Sequence, residues 1–149
     1  MSTARVLSIE DANLNQTVLV TSRKKAYSDL DLSFTAKSSG ELYKKVDAAA
    51  VRQSVKTLIT TNRFEKPFQP SFGADIRGLL FELVNDPLVE YEIDDRIRSN
   101  IATYEPRAKV IDVDVVLNPD NNSVSVTIEF QVINTEEIVS LTTNFSRLR

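Results

Sequence analysis

The sequence contains no cysteine, no histidine and no tryptophan, and only three of its 149 residues are glycine. Without Cys and His the chain cannot form disulfides, thiolate nucleophiles, Cys/His zinc sites or Ser-His-Asp triads. Three glycines are too few for a phosphate-binding loop, and neither GxGxxG nor GxxxxGKS/T occurs. Any chemistry is left to carboxylates, hydroxyls, Lys, Arg and Tyr, and we expect no cofactor and no metal.

Long apolar runs and an excess of positive charge are absent as well. No apolar run approaches the roughly 18 residues that a membrane span requires. The first residues, MSTARVLSIEDANL, do not follow the pattern of a secretory signal. The net charge of −3 disfavours a dedicated nucleic-acid binder and a membrane-surface module. We therefore expect a protein that is made and kept in the cytoplasm unless a larger assembly carries it out, and that binds neither nucleic acid nor membrane.

What is present is an ordinary globular composition, with 42% hydrophobic and 26% charged residues. A chain of this length is sufficient for one domain with its own core. Residues 1–26 lack a periodic apolar face, apart from a short run at 18–20. They are either a frayed terminus or an arm that becomes ordered on a partner. We divide the chain into an N-terminal arm, 1–26, and a domain, 27–149.

Apolar residues at helical spacing predict three helices, over about 47–61, 74–84 and 87–104. The predicted buried faces are Val51, Val55, Leu58 and Ile59; Ile76, Leu79, Leu80 and Leu83; and Val89, Ile93, Ile97, Ile101 and Tyr104. Pro106 ends the third helix, because proline disfavours helical geometry in the residue before it.

The start of the first helix allows two interpretations. Asp47 is a good N-cap residue, and three alanines follow it. Leu42 and Val46 could instead extend the helix backwards, with Ser38 and Glu41 spaced as a weak capping box.

Alternation of polar and apolar residues predicts three strands, over 111–117, 124–132 and 139–145. Turn clusters separate them, so we expect an antiparallel meander with one apolar face and a free edge at the last strand. Residues 29–34 also alternate, as a half-buried extended segment would. The predicted fold is α+β, with three helices packed on one face of a three-stranded antiparallel meander and an extended N-terminal arm.

The segment between the first two helices, residues 61–73, is a loop with two prolines and three phenylalanines, Phe64, Phe68 and Phe72. Proline fixes φ and stops regular structure. We predict that the three rings pack beneath the loop and form a small hydrophobic cluster beside the main core. The alternative is a docking surface for another chain.

No arrangement of carboxylates predicts catalysis. A glycosidase needs two acids across a cleft, one of them with a raised pKa. Glu82 and Asp86 could share a helix-end surface, but neither is in an evident apolar setting. Asp112 and Asp114 fall on the polar face of a strand, and the Asn-rich turn at Asp120 lacks EF-hand spacing. We therefore expect a protein that is not an enzyme.

The most specific local feature is Tyr104-Glu105-Pro106-Arg107 at the end of the third helix. The helix dipole disfavours an acid at this end. Glu105 therefore indicates a basic partner, either Arg107 or a group on another chain. We expect Arg107 to be partly exposed, and Arg107→Ala to cost under about 1 kcal/mol as for an exposed pair.

A series of motifs carries a family resemblance: Thr60-Thr61 with Arg63, Pro67-Phe68-Gln69-Pro70, Phe72-Gly73, Leu80-Phe81-Glu82 and Tyr104-Glu105-Pro106-Arg107. In this order they closely resemble the baseplate wedge family of contractile phage tails. That family is called gene-product-twenty-five-like, and it includes the TssE component of type VI secretion. The resemblance covers roughly residues 27–148.

The resemblance implies a structural protein of the tail baseplate of a virion. Glu105, Pro106 and Arg107 would contact the helical core bundle of other baseplate wedge proteins. The strands between Ile111 and Phe145 would be the platform that the tail sheath protein continues, with several copies per baseplate and six expected. The alternatives are a TssE-like component of a type VI or phage-derived injection system, and a peptidoglycan lysozyme, because the family has also carried that label.

Overall fold

The computed structural model describes residues 26–80 and 87–146. Its elements, in chain order, are β1 (Ser28–Leu30), β2 (Lys44–Val46), α1 (Ala48–Thr60), α2 (Ile76–Leu79), α3 (Pro87–Tyr104), β3 (Ala108–Asn118), β4 (Ser123–Val132) and β5 (Ile138–Ser146). A 3-10 turn, Pro119–Asn121, joins β3 to β4. Three helices and two antiparallel sheets in the described ranges confirm the α+β class. The predicted arm lies outside the described residues except for its last one.

Helix α1 begins directly after Asp47, as predicted, and buries the expected face. The backward extension is wrong, because β2 pairs with β1 in a two-stranded antiparallel sheet. Asp47 adopts a φ of 48°, which breaks the chain direction between β2 and α1. Its carboxylate accepts a hydrogen bond from the Tyr27 N–H at 3.0 Å instead of capping its own helix. Asp47 thus joins the residue just before β1 to the start of the helix.

The extended segment predicted over 29–34 is wrong in its second half. Strand β1 ends at Leu30, and a turn follows. The Asp31 carboxylate accepts a hydrogen bond from the Ser33 N–H at 3.0 Å, and the Asp31 carbonyl accepts one from the Phe34 N–H at 3.1 Å. Side-chain bonding of this kind favours a turn over a strand. Phe34 is consequently 65% exposed.

The second and third predicted helices differ in outcome. Within the described residues the second is the single turn α2, which buries Ile76 and Leu79, and Leu83 lies outside that range. The third, α3, has the predicted bounds. It buries Val89, Ile93, Ile97 and Ile101, while Tyr104 is half-buried. No helix within 26–80 or 87–146 combines the length and apolar character that crossing a bilayer demands.

The predicted meander is present, with strand order β3-β4-β5 and antiparallel pairing throughout. The central strand β4 alternates cleanly and buries Val124, Val126, Ile128, Phe130 and Val132. In β3 the predicted alternation is interrupted by an irregularity between Val110 and Asp112. Ile111 has no partner on β4 there and is 47% exposed. A bulge of this kind adds one residue to a strand and shifts the faces that follow.

Buried side chains from all three helices and the meander form one hydrophobic core. Leu58, Ile93, Ile97 and Phe130 are at most 2% exposed within it. Burying side chains of this size stabilises the fold by about 1.5–3 kcal/mol each. The core fixes the end of α3 against the start of β3, where the sequence motif 104–107 lies.

Candidate functional site

The corner, residues Glu105 to Arg107, joins α3 to β3 and has a fixed backbone. The Glu105 N–H donates to the Ile101 carbonyl at 2.9 Å, which continues the helical pattern by one residue. The Ala108 N–H donates to the Glu105 carbonyl at 3.1 Å and closes the turn. The Arg107 carbonyl accepts a hydrogen bond from the Ile133 N–H at 3.0 Å. Pro106 is exposed at the tip, where its missing N–H is not needed.

Inside the corner, Arg107 and Glu105 form a bidentate ion pair, with two hydrogen bonds between the guanidinium and the carboxylate. Arg107 Nε donates to Glu105 Oε1 at 2.5 Å, and Nη2 donates to Oε2 at 2.6 Å. The Glu105 side chain is 3% exposed and that of Arg107 is 30% exposed. The basic partner expected for Glu105 is therefore Arg107 of the same chain. The planar guanidinium matches a carboxylate in this geometry in a way that lysine cannot.

The charge states of the pair follow from these contacts. Burial by itself raises the pKa of Glu105, but hydrogen bonds from Arg107 and from Ser54 of α1, with the Arg107 charge, outweigh it. The net pKa of the Glu105 carboxyl lies below its ordinary value of 4.5. The hydrogen bond to Glu105 raises the pKa of Arg107. Both groups are therefore charged at neutral pH, and the pair is an internal contact of the fold.

Arg107 also connects the corner to Tyr27, the residue just before β1. Its guanidinium carbon lies 5.4 Å from the centre of the Tyr27 ring, within cation–π range. The Tyr27 backbone in turn bonds to Asp47 in both directions. Arg107 is partly exposed, in agreement with its prediction. The small cost expected for Arg107→Ala assumed an exposed pair, whereas the carboxylate it would abandon is buried.

The loop 61–73 departs from its prediction. Phe72 is half-buried, but Phe64 and Phe68 are 83% and 102% exposed. The prediction that the rings tuck under the loop is therefore wrong for two of the three. Phe64 and Phe68 have φ values of 64° and 65°. Left-handed backbone is costly for bulky residues and persists only where the surrounding structure imposes it.

Several contacts impose this loop conformation. The Phe64 N–H donates to the Pro70 carbonyl at 3.0 Å, and the Asn62 N–H donates to the Glu65 carboxylate at 2.8 Å. At the loop end Gly73 has a φ of 106°, and a Cβ there would collide with the Thr61 carbonyl oxygen. Glycine is required at this position because the two ends of the loop meet there.

The loop is joined to the corner through Tyr104. The Tyr104 hydroxyl donates to Ser71 Oγ at 2.8 Å. Its ring meets the Phe72 ring edge to face, with centroids 5.2 Å apart. Lys66 Nζ lies 3.9 Å from the centre of the Phe72 ring on the loop. The corner and the loop are therefore neighbours, and the motifs that are separate in sequence meet here.

The acidic residues of the described ranges do not assemble a hydrolytic site. Glu105 is the one buried carboxylate there, and its pKa is lowered, whereas a general acid needs a raised pKa. Asp112 lies 3.7 Å from Arg98 on the surface. No group of three or more acidic residues in the described part of the chain could hold a metal ion. Glu82 and Asp86 lie outside the described residues.

Two cations were missed by the sequence reasoning. Arg52 and Lys56 lie one turn apart on the exposed side of α1. Both line a groove between this helix and β5. Their spacing in the sequence could have drawn attention to them. Two like charges four residues apart destabilise a helix slightly, so such a pair stands out on a helix.

The fold and the corner define a small α+β protein. Its most distinctive feature is a turn, held by a buried ion pair, that follows its longest described helix. A family model described as baseplate wedge protein gp25 matches residues 45–137. Baseplate wedge protein gp25 of Enterobacteria phage T4 is 31% identical over 109 residues, which cover 73% of this chain and 82% of the T4 protein. The chain belongs to the gp25 baseplate wedge protein family, which confirms the resemblance drawn from the motifs.

Solved structures share the fold at lower identity. A Geobacter sulfurreducens protein named as a candidate tail lysozyme has a TM-score of 0.59 at 20% identity, covering 66% of this chain and 89% of its own. A chain of the anti-feeding prophage baseplate scores 0.57 at 20% identity, covering 81% and 86%. A chain of the postcontracted pyocin R2 baseplate scores 0.51 at 16% identity, covering 81% and 99%.

Proposed function

We propose that this chain is a structural wedge protein in the baseplate of a contractile phage tail. It would dock on the helical core bundle of other wedge proteins and provide the platform on which the tail sheath begins. The observation that carries the proposal is the family match over residues 45–137, because that range includes the corner and most of the meander. We assign the structural role to the domain 27–149 and an accessory role to the arm 1–26.

Six copies per baseplate are part of the proposal. The anti-feeding prophage baseplate, which contains a chain of this fold, was solved with 6-fold symmetry. That likeness also favours a second candidate, a wedge component of a phage-derived injection machine related to type VI secretion. The two candidates share one fold, and in both the protein would lie in a tail baseplate that would be assembled in the host cytoplasm.

A lytic role receives no support from the described carboxylates. The name of the Geobacter sulfurreducens protein includes lysozyme, but at 20% identity the likeness concerns the fold alone. Glycoside hydrolysis needs an acid that stays protonated beside a second carboxylate. Glu105 has an arginine beside it and a lowered pKa, which is the opposite arrangement. We propose that the protein is not an enzyme.

The corner is proposed to contact the core bundle through its exposed part. Pro106 is exposed, and it lines a concave surface of about 500 Å³ together with Arg98, Lys109 and Ile133. Ile133 is 56% exposed there. An apolar surface flanked by Lys109, and by Arg98 in its pair with Asp94, suits an amphipathic helix that carries acidic residues beside Lys109. Glu105 would support this contact from inside by holding Arg107 in place.

The loop 61–73 is proposed as a second contact beside the corner. Phe64 and Phe68 together expose a large aromatic area, which soluble proteins use at interaction sites. Phenylalanines that are held rigidly lose little entropy on binding, so they serve well as anchors. The joint through Tyr104 would present both contacts to the same partner region.

The sheath platform is proposed to be the meander. In that role the three helices would cover its apolar face. The opposite face would then be directed outward, and along β4 it carries Ser125, Thr127 and Glu129. The clean alternation of β4 supports this arrangement.

Two conservative variants test the corner contact. Pro106→Ala removes the exposed ring, and Arg107→Lys keeps a charge but loses the two-pronged geometry. We expect both chains to fold and to lose about tenfold in co-purification with the wedge's helical partners, which corresponds to roughly 1.4 kcal/mol. Asp120→Ala, in the turn between β3 and β4, is the control and should leave capture unchanged. Capture of the helical partners at the wild-type level by both variants would contradict the assignment.

A further inference from the structure

Helix α3 has a second face, opposite the buried residues Ile93 and Ile97. Its members recur every three or four residues, which places them on one side of a helix, and they are Leu88, Tyr91, Asp95, Arg98 and Ala102. Leu88 and Tyr91 are 70% and 71% exposed, and Asp95 and Ala102 are exposed as well. This outer face of α3 has the spacing by which two helices pack side by side.

The outer face changes character along the helix. Its N-terminal part carries the two large apolar side chains, whereas its C-terminal part ends on Ala102. Asp95 and Arg98 lie between them, and Asp95 has no ion-pair partner in the described part of the chain. Arg98 binds Asp94 at 2.8 Å, yet its side chain is 40% exposed. A guanidinium has five N–H donors, so Arg98 can bind a further carboxylate.

The outer face is complementary to a second copy of itself that runs in the opposite direction. When Asp95 of each copy lies beside Arg98 of the other, the same register brings Tyr91 of each onto Ala102 of the other. Both pairs are centred on the same point of the helix, between residues 96 and 97. A large side chain then meets a small one, and each carboxylate meets a cation.

A parallel pair of helices would lose this match. It would place Asp95 beside Asp95 and Arg98 beside Arg98, and like charges oppose such a contact. The charge order on the outer face therefore selects the antiparallel direction.

We propose that two copies of this chain pair through the outer faces of α3, antiparallel and about a two-fold axis. An isologous contact of this kind closes after two copies, so it gives a dimer and no filament. The contact follows one helix of 18 residues, about 27 Å long. An interface of that extent belongs to the small, transient class, so the dimer is weak and exchanges readily.

The pairing would compete with docking at the corner. Arg98 and Ala102 belong to both surfaces, because they also line the concave surface at Pro106. One copy would therefore cover the concave surface of the other until the wedge's helical partners displace it. This competition rests on the proposed wedge role, whereas the pairing itself rests on the outer face of α3 alone.

Sedimentation equilibrium of the full chain tests the pairing. We expect the average mass to rise towards the dimer value between about 10 µM and 1 mM, the range for a small interface. Asp95→Arg and Arg98→Asp each bring like charges together and should weaken self-association about tenfold, equivalent to roughly 1.4 kcal/mol. Asp114→Arg makes the same change at an exposed acid on β3, so it is the matched control and should behave as the wild type.

A mixture of the two charge variants is the decisive arm. In the mixed pair every Arg of the central contact faces an Asp, so the mixture should dimerise within about twofold of the wild type, although each variant alone is weak. A wild-type chain that stays monomeric throughout the concentration range, or a mixture of folded variants that does not dimerise, would overturn the inference.

Cross-linking tests the direction of the pairing on chains whose charges are intact. The sequence has no cysteine, so Tyr91→Cys and Ala102→Cys each introduce a single thiol. In the antiparallel pair the two different positions face each other, whereas two like positions are about 16 Å apart along the axis. A short bis-maleimide should therefore join the two variants in a mixture and should not join either variant to itself. Linking of a variant to itself, or no linking in the mixture, would contradict the antiparallel pairing.

These results are separable from the proposed function. Asp95→Arg leaves the corner unchanged, so this chain should capture the wedge's helical partners at least as well as the wild type. A wild-type chain that captures those partners but never dimerises would reject the pairing and leave the wedge role standing. A dimer that forms while capture fails would support the pairing and reject the wedge role.

Discussion

The corner, residues 105–107, and the loop, residues 61–73, touch through Tyr104 yet place their side chains in opposite ways. The corner takes a charged pair into the interior, where Glu105 is 3% exposed. The loop holds Phe64 and Phe68 in water at 83% and 102% exposure. In most domains charges are outside and aromatic rings are inside.

The difference separates two kinds of contribution. In the corner, Arg107 pairs with the buried charge of Glu105 inside the same chain. These two residues are therefore needed for the fold whether or not a partner is bound. The exposed rings bury almost nothing in the isolated chain, and their backbone conformation is costly. This exposure is the reason we propose them as a docking contact.

Arg107→Ala should have the largest effect on the isolated chain. It leaves the Glu105 carboxylate buried without its charged partner, and breaking a buried pair costs about 3–5 kcal/mol. We expect about 3 kcal/mol, at the low end of that range, because Ser54 still donates to the carboxylate. Urea unfolding at pH 7 measures the loss. Arg98→Ala, which removes a more exposed pair with Asp94, is the control and should cost under about 1 kcal/mol. Equal losses for the two variants would mean that the corner is not locked from within.

Lowering the pH should have a smaller effect on the free energy of unfolding than Arg107→Ala. The pKa of Glu105 is lowered in the folded chain, so its contribution to stability is present above the ordinary value of 4.5 and is lost as the pH falls through the lower folded-state pKa. The free energy of unfolding should therefore fall below pH 4.5 more steeply for the wild type than for Glu105→Gln. Denaturant titrations of both chains between pH 7 and about 3 measure this difference. Parallel curves would show that Glu105 titrates alike in the folded and unfolded chains.

The smallest effect concerns the loop and has the opposite sign. Phe68→Gly removes a ring that contacts little and relieves a φ of 65°. We expect the free energy of unfolding to stay within about 0.5 kcal/mol or to rise, while capture of the wedge's helical partners falls. Phe72→Gly is the matched comparison and should destabilise the chain, because it loses the Tyr104 and Lys66 contacts. A clear decrease in the free energy of unfolding for Phe68→Gly would show instead that the Phe68 ring stabilises the folded domain.

The parts of the fold that follow from one strong periodicity could be predicted. Helix α3 has the expected bounds because apolar residues recur along its length and Pro87 and Pro106 bracket it. The meander follows in the same way from alternation. The short strands β1 and β2 could not be predicted, since three residues each carry no measurable period. The β1 side is held by hydrogen bonds from the Tyr27 N–H to Asp47 and from Gln53 to the Leu30 carbonyl, whose partners are 20 and 23 residues apart in sequence.

The arrangement of the side chains around Glu105 and in the loop 61–73 could be predicted only in part. The position of Glu105 at a helix end correctly indicated a basic partner, because the dipole argument is local. The burial of the pair depends on Ser54 and Tyr27, more than fifty residues away in the chain. The exposure of Phe64 and Phe68 was missed because composition alone suggests that aromatic rings are buried. Their positive φ values depend on how the loop closes at Gly73.

The irregularity in β3 at Val110 and Asp112 has a consequence for how many strands this sheet can acquire. Among the described strands of the meander, the edge strand β3 is interrupted and the edge strand β5 is not, so β5 is the better suited of the two for pairing with another strand. Two copies meeting there would have to bring Arg52 and Lys56 of both together, and like charges oppose that contact. Pairing of two copies along this edge is thereby disfavoured.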